Sequence, residues 1–148
     1  MRVDAKINIT GSKSDIWEVI TNIPNAANII KGIEKIEIIH EPTNGIVGLK
    51  WRETRMYFGE PSSIDKWITD AVENEFYKTR AEMDGFIFIT TIAIIQSDNI
   101  MILTSSHETI SHGIIAKIKS LPMIFFKGML KKAILQDLTD YKSAVEVK

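Results

Sequence analysis

The sequence of 148 residues contains no cysteine, which excludes disulfide bonds, a thiolate nucleophile and any zinc site built on cysteine. It also lacks an uninterrupted run of about 18 apolar residues, the length that a membrane-spanning helix needs, so we expect no stable membrane insertion. Its 18 basic and 19 acidic residues give a net charge of −1. Nucleic-acid binding usually requires a basic excess, and no nucleic-acid partner is therefore predicted.

Motifs for catalysis, metals and export are also missing. There is no glycine-rich phosphate loop and no Gly-x-Ser-x-Gly nucleophile motif. His107-Glu108 and His112 have one residue too many between them for a His-Glu-x-x-His zinc site, and His40 is far away in the sequence. We therefore predict no cofactor and no metal. The N-terminus alternates polar and apolar residues, unlike a signal peptide, and a cytoplasmic protein is the expectation.

The chain instead shows strand patterns followed by one long helical pattern. Residues 3–9 predict a half-buried strand, and Pro24 separates two short helices. Six further strands, joined by turns too short for parallel crossovers, predict an antiparallel meander. These strands are predicted over residues 33–41, 47–58, 64–72, 76–83, 86–96 and 100–110. We expect one domain, 1–148, and a turn at residues 59–62 between the third and fourth strands of the chain.

Residues 113–148 predict a long C-terminal helix, interrupted near Pro122. Its apolar stripe, spaced for one helix face, comprises Leu130, Ile134, Leu138, Tyr141 and Val145. Asp137 and Asp140 are predicted to lie mostly off this stripe. The helix should therefore face a core with its apolar stripe.

The strand predicted over 47–58 has an unusual face. Alternation places Val47, Leu49, Trp51, Glu53, Arg55 and Tyr57 on the same side. An unpaired charge is costly to bury, so this pattern indicates a cavity that is partly wet or holds a polar ligand. The alternative is a strand end or bulge that turns Glu53 and Arg55 to solvent.

Two residues on these strands could transfer protons. Glu53 is the best candidate for a general acid or base, since burial would raise its pKa while Arg55 would oppose the rise. His107 shares a face with Leu103 and Ser105 and would be a polar cavity group that titrates near neutrality. The alternative for His107 is a structural or exposed residue.

The residues of three segments resemble the SRPBCC superfamily, the START-like or Bet v 1-like helix-grip proteins. The segments are Ser14-Asp15-Ile16-Trp17-Glu18-Val19-Ile20, residues 47–55 with Phe58-Gly59, and residues 136–146. The sequence is most similar to polyketide cyclase/dehydrase-like members. The resemblance implies an α+β helix-grip fold, in which a curved seven-stranded antiparallel sheet wraps around a long C-terminal helix, with two short helices after the first strand.

The resemblance also implies a ligand cavity between the sheet and the helix. The expected function is carriage or presentation of a small hydrophobic molecule such as a lipid, isoprenoid or polyketide, without catalysis. The alternative is a cyclase/dehydratase-like enzyme that uses Glu53 and His107 as catalytic residues. The expected ligand-binding residues are Leu49, Trp51, Glu53, Arg55, Tyr57, His107, Met123 and Phe126. Residues 86–95 are apolar on both faces, which indicates either a homodimer contact or simply high β propensity.

Overall fold

The computed structural model describes residues 1–111 and 127–147. Met123 and Phe126, two of the expected ligand-binding residues, lie outside the described residues. The helices are α1 (Lys13–Ile20), α2 (Ala26–Ile29) and α3 (Lys127–Glu146), with a 3₁₀ turn at Ile23–Asn25. The strands are β1 (Arg2–Ile9), β2 (Ile33–His40), β3 (Lys50–Tyr57), β4 (Glu60–Val72), β5 (Phe76–Met83), β6 (Phe86–Ser97) and β7 (Ile100–Ser111).

The seven strands form one antiparallel sheet in the order β1-β7-β6-β5-β4-β3-β2. Strands β2 to β6 each pair with the next strand in the chain, which confirms the predicted meander. The first strand closes the order by pairing with the last, from Arg2 opposite Glu108 to Ile9 opposite Met101. One face of this sheet is therefore continuous from β1 to β2 and is available to contact α3.

Two tight hairpins set the register of the central strands. Asp84-Gly85 joins β5 to β6 with φ angles of 53° and 80°, as the sequence predicts for a two-residue turn. Phe58-Gly59 joins β3 to β4 with φ angles of 52° and 80°. The turn predicted at 59–62 is therefore wrong, because β4 already begins at Glu60 and Pro61 pairs with Met56 inside the strands.

The start of β3 also differs from the prediction. Gly48 has a φ angle of +96°, which interrupts the extended backbone, and the paired strand begins at Lys50 rather than Val47. Val47 is accordingly 49% exposed, whereas Trp51 is 3% exposed. The inward face predicted for this strand holds for Leu49, Trp51, Glu53 and Arg55, whereas Val47 and Tyr57 at its two ends are exposed.

Helix α3 lies on the concave side of the sheet with most of its predicted stripe buried. Ile134, Leu138, Tyr141 and Val145 are all buried. Asp140, which is predicted to lie mostly off the stripe, is also buried, at 5% exposed. Its Oδ2 accepts a hydrogen bond from the backbone N–H of Lys31 at 2.9 Å, which satisfies the carboxylate and ties α3 to the loop before β2.

Candidate ligand-binding cavity

A cavity lies between the sheet and α3. About 60 Å³ of it is open to the centre of a water molecule. Its apolar lining includes Trp51 and Ile92 from the sheet and Ile134 and Leu138 from α3. Polar side chains line the rest in two groups, one charged and one neutral, and these groups come from different strands.

We call the first group the charged wall: Glu53, Arg55, Lys66 and Asp137. Glu53 is only 6% exposed, and its Oε2 accepts hydrogen bonds from Arg55 Nε at 2.8 Å and from Lys66 Nζ at 3.0 Å. Trp51 Nε1 approaches Oε1 at 3.4 Å. The alternation of β3 turns Glu53 and Arg55 inward, and the alternation of β4 does the same for Lys66.

Asp137 connects the charged wall to helix α3. Arg55 donates from Nη2 to Asp137 Oδ2 at 2.9 Å and from Nη1 to Oδ1 at 3.3 Å, the bidentate geometry that suits guanidinium and carboxylate groups. Gly32 leaves room for this pair, since a Cβ there would lie 3.0 Å from Arg55 Nη1. The wall has two acidic and two basic side chains, so its formal charge is zero.

The two carboxylates of the charged wall differ in pKa. Burial favours a higher pKa for Glu53, but Lys66 and Arg55 together outweigh burial and hold the pKa at about 2. For Asp137, burial prevails over the attraction of Arg55 and Lys66 and raises the pKa above the usual value. Glu53 therefore remains a carboxylate at neutral pH and is a poor general acid there.

We call the second group the neutral wall: Thr79, Thr90, Ser105 and His107, on β5, β6 and β7. Thr79 lies opposite Thr90, and Thr90 lies opposite His107, so these three side chains form a row across three strands. His107 Nε2 is 2.9 Å from Ser105 Oγ, and its Nδ1 is 3.4 Å from Thr90 Oγ1. Both ring nitrogens are thus next to hydroxyl groups.

The imidazole of His107 is neutral, like the hydroxyl groups beside it. Burial lowers the pKa of His107 to about 4, and the nearby cations Lys66 and Arg55 lower it further than burial alone would. His107 is therefore neutral at pH 7, with one nitrogen as donor and the other as acceptor. The predicted titration near neutrality is wrong, because burial and the two cations disfavour the imidazolium.

Four of the residues expected from sequence line this cavity: Trp51, Glu53, Arg55 and His107. Leu49 is 7% exposed and belongs to the surrounding hydrophobic core, and Tyr57 is 55% exposed near the end of β3. Neither of these two lines the cavity. A ligand-binding role for any of the eight expected residues stays a prediction.

The sequence reasoning missed several lining residues, although the spacing contained the signal for two. Lys66 is two residues from both Ile64 and Ile68 along the strand, so it shares their inward face. Asp137 lies three residues after Ile134 and four before Tyr141, a spacing that places it beside the buried stripe; the prediction that it lies mostly off the stripe is wrong. The hydroxyl residues Thr79, Thr90 and Ser105 carried no comparable signal.

Within residues 1–111 and 127–147, no group of three histidine or acidic side chains is arranged to hold a metal ion. Among the helices in these ranges, none combines the length and apolar character required to cross a bilayer.

No protein-family model and no curated protein matches the sequence. Solved structures match over almost the whole chain. A START superfamily protein from Mycobacterium smegmatis has a TM-score of 0.77 and 14% identity, covering 98% of this chain and 97% of that chain. The Zhui aromatase/cyclase from Streptomyces sp. R1128 has a TM-score of 0.76 and 16% identity, with coverage of 99% and 93%. For Ara h 8.0201 the TM-score is 0.73 and the identity 14%, with coverage of 100% and 99%.

Identities this low establish a common fold and leave function to be argued from the site. The element order and sheet topology of this chain agree with those predicted from the resemblance. The chain therefore has the helix-grip fold of START-like and Bet v 1-like proteins, the fold of the superfamily that its sequence resembles.

Proposed function

We propose that the protein binds a small, largely hydrophobic molecule in the cavity between the sheet and α3, for carriage or presentation. The observation that supports this proposal is the cavity itself, with apolar side chains and polar groups on the same lining, as in typical small-molecule sites. Contact with Trp51, Ile92 and Leu138 would supply most of the binding free energy, at about 25 cal/mol per Å² of apolar area. The polar walls would orient the ligand.

The neutral wall also supports a ligand. Its hydroxyl groups line the cavity beside apolar side chains, and each hydroxyl can donate one hydrogen bond and accept others. Such groups are useful when a polar end of a ligand must be oriented. Lipids, isoprenoids and polyketides are candidate ligands, of which only one end would fit into about 60 Å³ of accessible space.

The two pKa values weigh against the alternative of a cyclase/dehydratase-like enzyme. Efficient proton transfer requires a group whose pKa lies near the working pH. The pKa of Glu53 is about 2 and that of His107 is about 4, so both residues hold one protonation state around pH 7. Binding without chemistry requires no titration and is the function we favour.

Native mass spectrometry of gently purified protein tests this proposal. We expect a co-purifying small molecule, visible as an added mass that organic extraction removes. The variant Ile92→Phe should abolish the added mass because Ile92 lines the cavity. The matched control is Ile95→Phe on the same strand, since Ile95 is 47% exposed, and it should retain the added mass.

Two results would contradict the proposal. One is protein that is always empty and also fails to bind small apolar compounds added to it. The other is an added mass that survives Ile92→Phe in a folded protein, because the molecule would then be bound elsewhere.

A further inference from the structure

We infer that the cavity selects an uncharged ligand whose hydroxyl or carbonyl oxygen is held by Thr79. This inference rests on the proposed function and specifies its ligand class. Three observations carry it: a hydroxyl without a hydrogen-bond partner among the described residues, neutral neighbours and a charge-balanced opposite wall.

Thr79 is the first of these observations. Its side chain points inward from β5 and is 6% exposed. The Thr79 hydroxyl makes no hydrogen bond with any part of the chain that the structure describes. In those same ranges, no fully enclosed side-chain oxygen or nitrogen lacks a partner, so the Thr79 oxygen borders the open space of the cavity. Buried hydroxyl groups are normally paired, and a ligand oxygen would supply the missing partner.

The neighbours of Thr79 determine which ligand group suits it. Thr90 lies directly opposite on β6, and His107 follows on β7. Each hydroxyl can donate one hydrogen bond and accept others. A carbonyl oxygen could accept from Thr79, and a hydroxyl could both accept and donate within the row. These hydroxyl groups and the imidazole are all neutral at pH 7, so none of them would balance the charge of an ionic ligand.

The charged wall is unsuited to an ion as well. Arg55 is already paired with Glu53 and Asp137, and Lys66 is paired with Glu53. A carboxylate ligand would have to compete with these two acidic side chains for the same cations. A ligand ammonium group would lose its hydration without gaining an uncommitted carboxylate. Both kinds of ion should therefore bind less well than a neutral molecule of the same shape.

The volume limits how much of the ligand the cavity encloses. The cavity holds about 60 Å³, less than half of the roughly 150 Å³ of a cavity known to bind benzene. It therefore suits the oxygen-bearing end of a ligand rather than a whole ring.

Three compounds and two variants test the inference. Isothermal titration calorimetry at pH 7 would measure the affinities of phenol, toluene and benzoate for the full-length protein. Thr79→Val removes the hydroxyl at nearly constant shape. Thr91→Val is the matched control, since residue 91 is the outward-facing neighbour of Thr90 on β6.

We expect phenol to bind and Thr79→Val to weaken phenol about 3- to 10-fold, the usual effect of one neutral hydrogen bond. The affinity for toluene should be the same in Thr79→Val as in the wild type, and Thr91→Val should leave the affinities for both compounds unchanged. Benzoate should bind at least about 10-fold more weakly than phenol because it carries a charge.

Different results separate this inference from the proposed function. The inference is overturned if toluene binds but the affinity for phenol is the same in Thr79→Val as in the wild type, or if benzoate binds best. In either case the cavity remains a binding site. If none of the three compounds binds to protein that has been freed of any co-purifying molecule, both the inference and the proposed function fail.

Discussion

The charged wall and the neutral wall line the same cavity but differ in how their buried polar side chains are paired. On the charged wall, Glu53 is satisfied by two cations, at 2.8 Å and 3.0 Å. On the neutral wall, His107 avoids charge, with a pKa of about 4, and Thr79 has no partner in the described ranges. The charged wall is complete without a ligand, whereas the neutral wall is not.

This difference indicates separate roles. Arg55 and Asp137 join β3 to α3 through two hydrogen bonds, so the charged wall fixes the helix over the sheet at one side of the cavity. The neutral wall offers hydrogen-bonding capacity that the protein does not use itself. Specificity for a ligand should therefore depend more on β5 to β7, and the position of α3 more on β3 and β4.

The largest expected effect is that of removing the central cation of the charged wall. Arg55→Met leaves Glu53 with one cation and Asp137 with none, and breaking a buried ion network on one side costs about 3–5 kcal/mol of unfolding free energy. Arg52→Met is the matched control on the outer face of β3. The Arg52–Asp65 pair, with side chains 50% and 35% exposed, should contribute less than about 1 kcal/mol.

Urea unfolding of both variants measures this difference. Equal losses for Arg55→Met and Arg52→Met would show that the charged wall is no more important than a surface ion pair.

A smaller effect is expected from the neutral wall when the pH falls. The pKa of His107 is about 4 in the folded state, below its ordinary value of 6.5, so the unfolded chain takes up the proton first. The contribution of His107 to the free energy of unfolding is therefore fully present above pH 6.5 and is lost as the pH falls towards 4. From pH 7 to pH 5 this amounts to roughly 2 kcal/mol. Glu53 adds a further loss that begins as the pH falls below its ordinary pKa of 4.5 and is complete near its folded-state pKa of about 2.

His107→Gln should remove most of the loss between pH 7 and pH 5, measured as the change in denaturation midpoint. His40→Gln, at the exposed end of β2, serves as the control and should keep the wild-type dependence. A His107→Gln protein with an unchanged pH profile would exclude a buried neutral imidazole.

The smallest effect concerns the space that Gly32 gives to the charged wall. In Gly32→Ala the new Cβ would lie 3.0 Å from Arg55 Nη1, and Arg55 cannot move freely between Glu53 and Asp137. We expect a loss of about 1 kcal/mol, at the low end for overpacking. Gly128→Ala in α3 meets no atom within 4 Å and should leave stability unchanged or raise it slightly. Calorimetric melting of both variants checks this, and a Gly32→Ala protein as stable as wild type would contradict it.

Much of the fold was predictable because alternation and turn residues are local signals. The inward positions of Trp51, Glu53 and His107 follow from a period of two along their strands. The start of β3 was not predictable in the same way, because the positive φ of Gly48 interrupts a pattern that continues in the sequence. Strand limits of this kind depend on pairing with β4 rather than on composition.

The site was less predictable because it depends on contacts between distant segments. Asp137 was predicted to lie mostly off the apolar stripe, yet Arg55, 82 residues away, pairs with it at the cavity. Asp140 was predicted to lie off the stripe too, and it is buried against the backbone of Lys31. A carboxylate on a helix becomes a core residue only when another segment supplies its partner, and one sequence does not show that partner.

The most direct test of the account is where a small apolar molecule lies when bound. Intermolecular nuclear Overhauser effects between toluene and ¹³C-labelled methyl groups would locate it. The account predicts contacts with Ile92, Ile134 and Leu138, which line the cavity, and none with the exposed Ile95 or Leu135. Contacts with the exposed methyl groups alone, or with no methyl group at all, would contradict a ligand cavity between the sheet and α3.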